Sequence, residues 1–186
     1  MKKISTLFKK DPNDLGRVIN EINPENQWVF DGEGISTRKF DGSACAIIDN
    51  VLYKRYDVKH GKTVPQNAIP CQEPDLITGH WPHWVKCDRN KPEDKYFFEA
   101  HDRLMLWPAE GTYELIGEKV QGNPEKIEGH RLVKHGFTTY EIPMSKINFE
   151  GLKEFLTVTD IEGIVFHHKS DGRMCKLRKS DFGIKR

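Results

Sequence analysis

Long apolar runs are missing from this chain of 186 residues, and their absence removes whole classes of protein. The longest, such as ACAII and LML, fall far short of the roughly 20 residues that span a bilayer as a helix. The basic opening MKKISTLFKK leads into no apolar stretch of signal-peptide length. Cysteine is scarce as well: Cys45, Cys71, Cys87 and Cys175 form no CxxC pair. Such isolated thiols suit a reducing compartment, so a cytoplasmic location is expected. Neither sign of charge is in excess, with 29 Lys and Arg against 28 Asp and Glu. With a net charge of +1, any contact with nucleic acid must come from a local basic patch.

The residues present fit a single soluble domain, residues 1–186, with one sizeable core. Residues 11–23 (DPNDLGRVINEIN) read as a short opening helix, with Asp11 or Asn13 as N-cap and Pro12 or Asp14 in its first turn. SACAII and VLYKRYDV read as paired strands, joined by Asp49-Asn50 in a two-residue hairpin turn. Residues 57–95, rich in Pro, His, Trp and charge, lack sustained periodicity. They read as a loop-rich insertion with one or two short helices, one of them around EPDLITGHW. DKYFFEAHDRLML reads as a helix ended by Trp107-Pro108. GTYELIGEKV, HRLVKHG and FTTYEIP read as strands, and QGNP as a turn. NFEGLKEFLTVT reads as a helix capped by Asn148, with Leu152, Phe155 and Leu156 on one face. EGIVFHH and RMCKLRK read as a hairpin across KSDG. The expected class is α+β, antiparallel sheets flanked by helices, with no obligate protein partner evident.

Within the first strand-like stretch, GISTRKFDGS, a lysine precedes an Asp-Gly turn: Lys39, Asp41 and Gly42 form K-x-D-G. Alone this is a surface lysine entering a turn. Further elements follow in order: Arg55 in YKRYDVKHGK, Glu114 in GTYELIG, Glu162 in EGIVF, and Lys176 with Arg178 in CKLRK. Each has a plain alternative. Arg55 with Glu114, or Glu162 with Lys176, would make cross-strand ion pairs of little worth. LRKSDFGIKR would be a solvated basic tail.

Taken together and in order, these elements resemble the covalent nucleotidyltransferase superfamily: ATP-dependent DNA and RNA ligases and mRNA capping enzymes. The closest resemblance is to compact ATP-dependent RNA ligases, and it covers residues 28–183. It implies an ATP-grasp-like ligase domain in which Lys39 attacks the α-phosphate of ATP and carries AMP as a phosphoramidate. AMP would then pass to a 5′-phosphate end of RNA, for displacement by a 3′-hydroxyl. A free lysine amine titrates near about 10.4, so the role calls for a neighbouring cation or partial burial. Lys176 and a bound divalent metal are the candidate cations.

The resemblance carries further roles. Arg55 would bind the 5′-phosphate side or the ribose, and Glu114 would accept from a ribose hydroxyl. Glu162 would hold Mg2+ or Mn2+, directly or through water, or orient the lysine. Lys176 and Arg178 would face the α-phosphate. Asp41 and Gly42 would shape the turn that presents Lys39, with Gly42 free to take a conformation closed to other residues. For the adenine, Phe137 or the apolar residues of HRLV would serve. Two departures stand out. The last motif is Lys-Leu-Arg rather than Lys-x-Lys, which suits Arg178 to clamping phosphate rather than to donating a proton. The tail after Lys176 is short, so no OB-fold or helical appendage is expected at the C-terminus.

Lys59, His60, Lys62, Trp81, Trp84, Lys86 and Arg89 of the loop-rich segment mix basic and aromatic side chains, which suits stacked bases and phosphates. They would serve equally as a loop packed by its own tryptophans. Cys71, His80, His83 and Cys87 are zinc-ligand types, at a spacing that fits no common finger. The expected activity is ATP-dependent joining of RNA 5′-phosphate and 3′-hydroxyl ends. The alternatives are a DNA ligase, a GTP-using capping enzyme, or a non-catalytic nucleic-acid-binding module of the same fold.

Overall fold

The computed structural model describes residues 3–75, 79–104 and 109–186. The Trp107-Pro108 step and residues 76–78 of EPDLITGHW lie outside the described residues. The chain forms two compact units: Asp41–His135 with Lys3, and Ile4–Phe40 with Gly136–Arg186. No helix among the described residues is long and apolar enough to cross a membrane.

The second of these units begins with a short strand, β1 (Ser5–Thr6), and a hairpin of β2 (Phe8–Asp11) and β3 (Asp14–Ile22). The expected opening helix is therefore a strand. The cause is the ambiguity of Asp11: its carboxylate accepts the Asn13 N–H at 2.8 Å, closing a turn rather than capping a helix. Pro12 sits at the corner, and Val18, Ile19 and Ile22 favour the extended chain that follows. After a helical turn, α1 (Gln27–Phe30), the chain enters β4 (Gly34–Lys39).

The other unit is a six-stranded antiparallel sheet. Strands β5 (Ser43–Ile48) and β6 (Val51–Val58) meet at Asp49 and Asn50, whose φ values of 50° and 59° give the expected left-handed hairpin turn. β7 (Ile69–Pro70) and β8 (Trp81–Lys86) follow. Among the described residues, the segment 57–95 thus holds two strands and a short 3-10 turn, Pro92–Asp94. Pro82, His83 and Trp84 are all buried, so β8 shows no two-residue alternation to read. Helix α2 (Lys95–Asp102) buries Phe97 and Ala100 among Cys45, Ile47, Leu115 and Leu132. β9 (Gly111–Gly117) and β10 (His130–Lys134) complete the order β10-β9-β5-β6-β8-β7.

Back in the unit of β1–β4, FTTYEIP is not the strand expected: among the described residues it forms one bridge, Thr37 to Thr139, before Pro143 turns the chain. Helix α3 (Phe149–Val158) begins at Asn148, whose side chain accepts the Gly151 N–H at 2.9 Å. Its Leu152 and Leu156 are fully buried. The hairpin β11 (Gly163–His168) and β12 (Met174–Arg178) then closes a sheet of order β1-β12-β11-β4. Ile164, Phe166, Cys175 and Leu177 face the core with Leu152, Leu156 and Trp28. Alternation turns Lys39, Gly163, Val165, Lys176 and Arg178 to the opposite face.

Candidate active site

That opposite face gathers four of the predicted residues in one unit. Lys39 pairs with Gly163, and Gly163 with Arg178, so a lysine and an arginine share one row across three strands. Two strand spacings separate their backbones by roughly 10 Å. One row along, Thr37, Val165 and Lys176 are aligned in the same way. Gly163 holds the strands close: a Cβ there would meet the Leu177 carbonyl oxygen at 2.4 Å.

Glu162 precedes that glycine, and its Oε2 lies 2.5 Å from the Lys39 Nζ. The expected alternative, Glu162 pairing with Lys176 across the hairpin, is thus replaced by an ion pair between β4 and the start of β11. Lys176 lies deeper. Burial, then the neighbouring Arg178 and Lys39 cations, push its pKa down to about 8, against the pull of Asp181 and Glu162.

Arg178 is held by a residue that sequence reasoning passed over. A 3-10 turn, Lys179–Phe182, follows β12 and brings the fully buried Asp181 back onto Arg178. The carboxylate accepts from the Arg178 backbone N–H at 2.8 Å, from Nε at 3.3 Å and from Nη2 at 2.9 Å. Lys10, on β2, donates to the same carboxylate at 2.6 Å. Burial alone would raise the Asp181 pKa, but these bonds outweigh it and hold the carboxyl below its ordinary range. The Lys179 N–H bonds the Glu162 carbonyl at 2.9 Å, so this turn anchors both Arg178 and the Glu162 backbone. The basic tail is a packed element, with Lys179 buried, rather than a solvated one.

Arg55, Glu114, Asp41 and Gly42 belong to the other unit. Arg55 on β6 and Glu114 on β9 do not pair, because β5 lies between their strands. Arg55 bonds Asp57 on its own strand at 3.1 Å. Glu114 accepts from His135 Nε2 at 2.9 Å, and His135 Nδ1 lies 2.9 Å from Thr112 Oγ1. The Asp41 N–H donates to Glu125 at 3.0 Å. Gly42 lies outside the left-handed region, and what its position demands is room. A Cβ there would meet the Leu115 carbonyl oxygen at 2.1 Å. His135 and Glu125 left no sequence signal beyond their nearness to predicted strands.

Phe137 is 80% exposed, and no ring packs against it among the described residues. In HRLV, Val133 stands directly across from Glu114 on β10, while Leu132 is buried in the core. Among the described residues no three His, Cys, Asp or Glu side chains gather as a metal-holding group. Of the four zinc-ligand types Cys71, His80, His83 and Cys87, the buried His83 bonds the Trp81 carbonyl and burial pushes the Cys87 thiol up to about 12. Glu162 offers a single carboxylate. That donor set suits Mg2+ or Mn2+ shared with phosphate oxygens and water, not a protein cage.

No family model matches the chain. It is similar to a protein named RNA ligase 1 from Pongo abelii, 29% identical over 165 residues, covering 66% of this chain and 49% of that protein. It is also 30% identical over 166 residues to RNA ligase 1 from Rattus norvegicus, with the same 66% and 49% coverage. The chain thus spans about half the length of these curated relatives.

Proposed function

We propose that this chain is an ATP-dependent RNA ligase of the covalent nucleotidyltransferase superfamily, working through AMP carried on Lys39. The observation that carries the reading is the placing of the Lys39 amine 2.5 Å from the Glu162 carboxylate, on the sheet face shared with Lys176 and Arg178. The names of the relatives support RNA as the polynucleotide. The α+β architecture with antiparallel sheets is compatible with such a ligase domain.

In the proposed reaction, the Lys39 ammonium passes a proton to Glu162, whose oxygen is within reach. The freed lone pair attacks the α-phosphorus, a nitrogen–phosphorus bond forms, and pyrophosphate leaves with its bridging oxygen. Lys176 and Arg178 neutralise the charge that builds on the α-phosphate oxygens, where fixed cations away from bulk water act most strongly. An oxygen of an RNA 5′-phosphate then displaces the lysine from AMP. Finally the 3′-hydroxyl attacks that activated phosphate and releases AMP. A divalent cation, held in part by Glu162, supplies charge neutralisation on the phosphates when bound. Arg55 and Glu114 are proposed as nucleotide-binding residues on the resemblance alone.

The test is direct. With α-labelled ATP and Mg2+ or Mn2+, the protein should become covalently labelled, and Lys39→Ala should remove the label. A wild-type protein that takes no label under these conditions overturns the reading. Exchanging ATP for GTP, and nicked RNA for nicked DNA, separates this ligase from a capping enzyme or a DNA ligase.

A further inference from the structure

The Lys-Leu-Arg ending raises a question that Asp181 answers. A guanidinium has five donors in a fixed plane, whereas an ammonium is a compact point charge. Asp181 takes two of those donors, Nε and Nη2, side-on, with its two carboxylate oxygens. Three remain for other acceptors. A lysine at this position would spend its one ammonium on Asp181 or on phosphate, without a fixed plane to share between them.

Asp181 is itself pinned. Its side chain is fully buried, Lys10 holds Oδ1, and the Arg178 N–H holds Oδ2. Arg17 of β3 bonds the Ser180 carbonyl at 3.0 Å, gripping the same turn from outside. Two residues of the β2–β3 hairpin therefore brace the turn that braces Arg178.

We propose that Asp181 is a positioning residue: it fixes the Nε–Nη2 edge of Arg178 so that the remaining donors face the α-phosphate of the bound nucleotide, and Lys10 fixes Asp181. This rests on the reading of Lys39 as the adenylylated nucleophile. Charge cannot be the whole contribution of Arg178 on this account. Orientation is the rest, and it is lost when either partner changes.

The experiment is a double-mutant cycle on the single-turnover rate of Lys39 labelling by α-labelled ATP, with thermal unfolding recorded for every variant. R178K should slow labelling on the order of 100-fold, as loss of an oriented donor does. D181N should slow it roughly 10- to 100-fold in the parent, from misplacement alone. In the R178K background D181N should add almost nothing, because no guanidinium is left to orient. An equal slowing in both backgrounds would mark Asp181 as merely structural and overturn the proposal. Should D181N fail to fold, K10M reads the same coupling: a several-fold slowing in the parent and none in R178K supports it, and equal slowing in both refutes it. An unlabelled wild type would sink the ligase reading and this inference together. A labelled wild type with no coupling sinks the inference alone.

Discussion

Lys39 and Arg178 stand in one row across three strands, with only Gly163 between them. The glycine is what lets β11 and β12 close up at that row. A Cβ would come to 2.4 Å from the Leu177 carbonyl oxygen and 2.9 Å from the Arg178 Cα, and both are backbone atoms that cannot rotate aside. Gly163→Ala should therefore cost about 1–3 kcal/mol, the usual penalty for overpacking, read from urea denaturation. The same shift moves Arg178, so labelling of Lys39 should slow as well. An alanine variant as stable as wild type would show that the hairpin opens freely there.

Glu114 makes a parallel case in the other unit. Its half-buried carboxylate accepts from His135, and Thr112 holds the far side of the ring. His135→Ala leaves that carboxylate without this donor, at a cost of about 1–2 kcal/mol. His135→Gln keeps a donor of similar reach and should recover much of the loss. Combining H135A with E114A should cost less than the sum of the two, because each already breaks the same bond. Chemical denaturation of the four variants decides this, and additive losses would show that the pair does not couple.

Helix α3 allows a cap to be weighed against a core residue in one element. Asn148→Ala removes the bond to the Gly151 N–H and should cost about 1 kcal/mol. Leu156→Ala empties a fully buried site and should cost about 2–5 kcal/mol. Burial, not capping, holds this helix in place. The expected order of urea midpoints is wild type, then N148A, then L156A.

What could be read from the sequence was local. The Asp49-Asn50 turn, the Asn148 cap and the final hairpin each write their geometry into two or three neighbouring residues, and each is found. The β2–β3 hairpin is not legible in the sequence because Asp11 and Pro12 begin a turn and a helix equally well. Strand β8 is not legible in the sequence because burial of Pro82, His83 and Trp84 together erases alternation.

At the site, motif order located the residues but not their partners. Asp181 lies three positions past Arg178, yet nothing in the letters KSDF says that the chain folds back onto it. Lys10 is 171 positions away in the chain from the carboxylate it holds. Contacts of that range are written only in the fold.

Lys176 gives the sharpest prediction about pH. Its ammonium is buried beside two cations, and its pKa falls from 10.5 to about 8. At pH values below about 8 both the folded and unfolded chains carry the charge, and the folded chain bears the full cost of burying it. Between about 8 and 10.5 the unfolded chain binds more protons, so stability rises with pH through this window. Above it neither state is charged, and the cost is gone. Lys176→Met keeps most of the volume and removes the titration. The variant should be more stable than wild type at about pH 7, and the gap should close toward about pH 10. It should also fail to label Lys39 at normal rate, since the cation that burdens the fold is the one proposed to steady the α-phosphate. Denaturation midpoints of both proteins across this range measure the gap. A difference that stays constant with pH would show that the cost lies in packing rather than in charge.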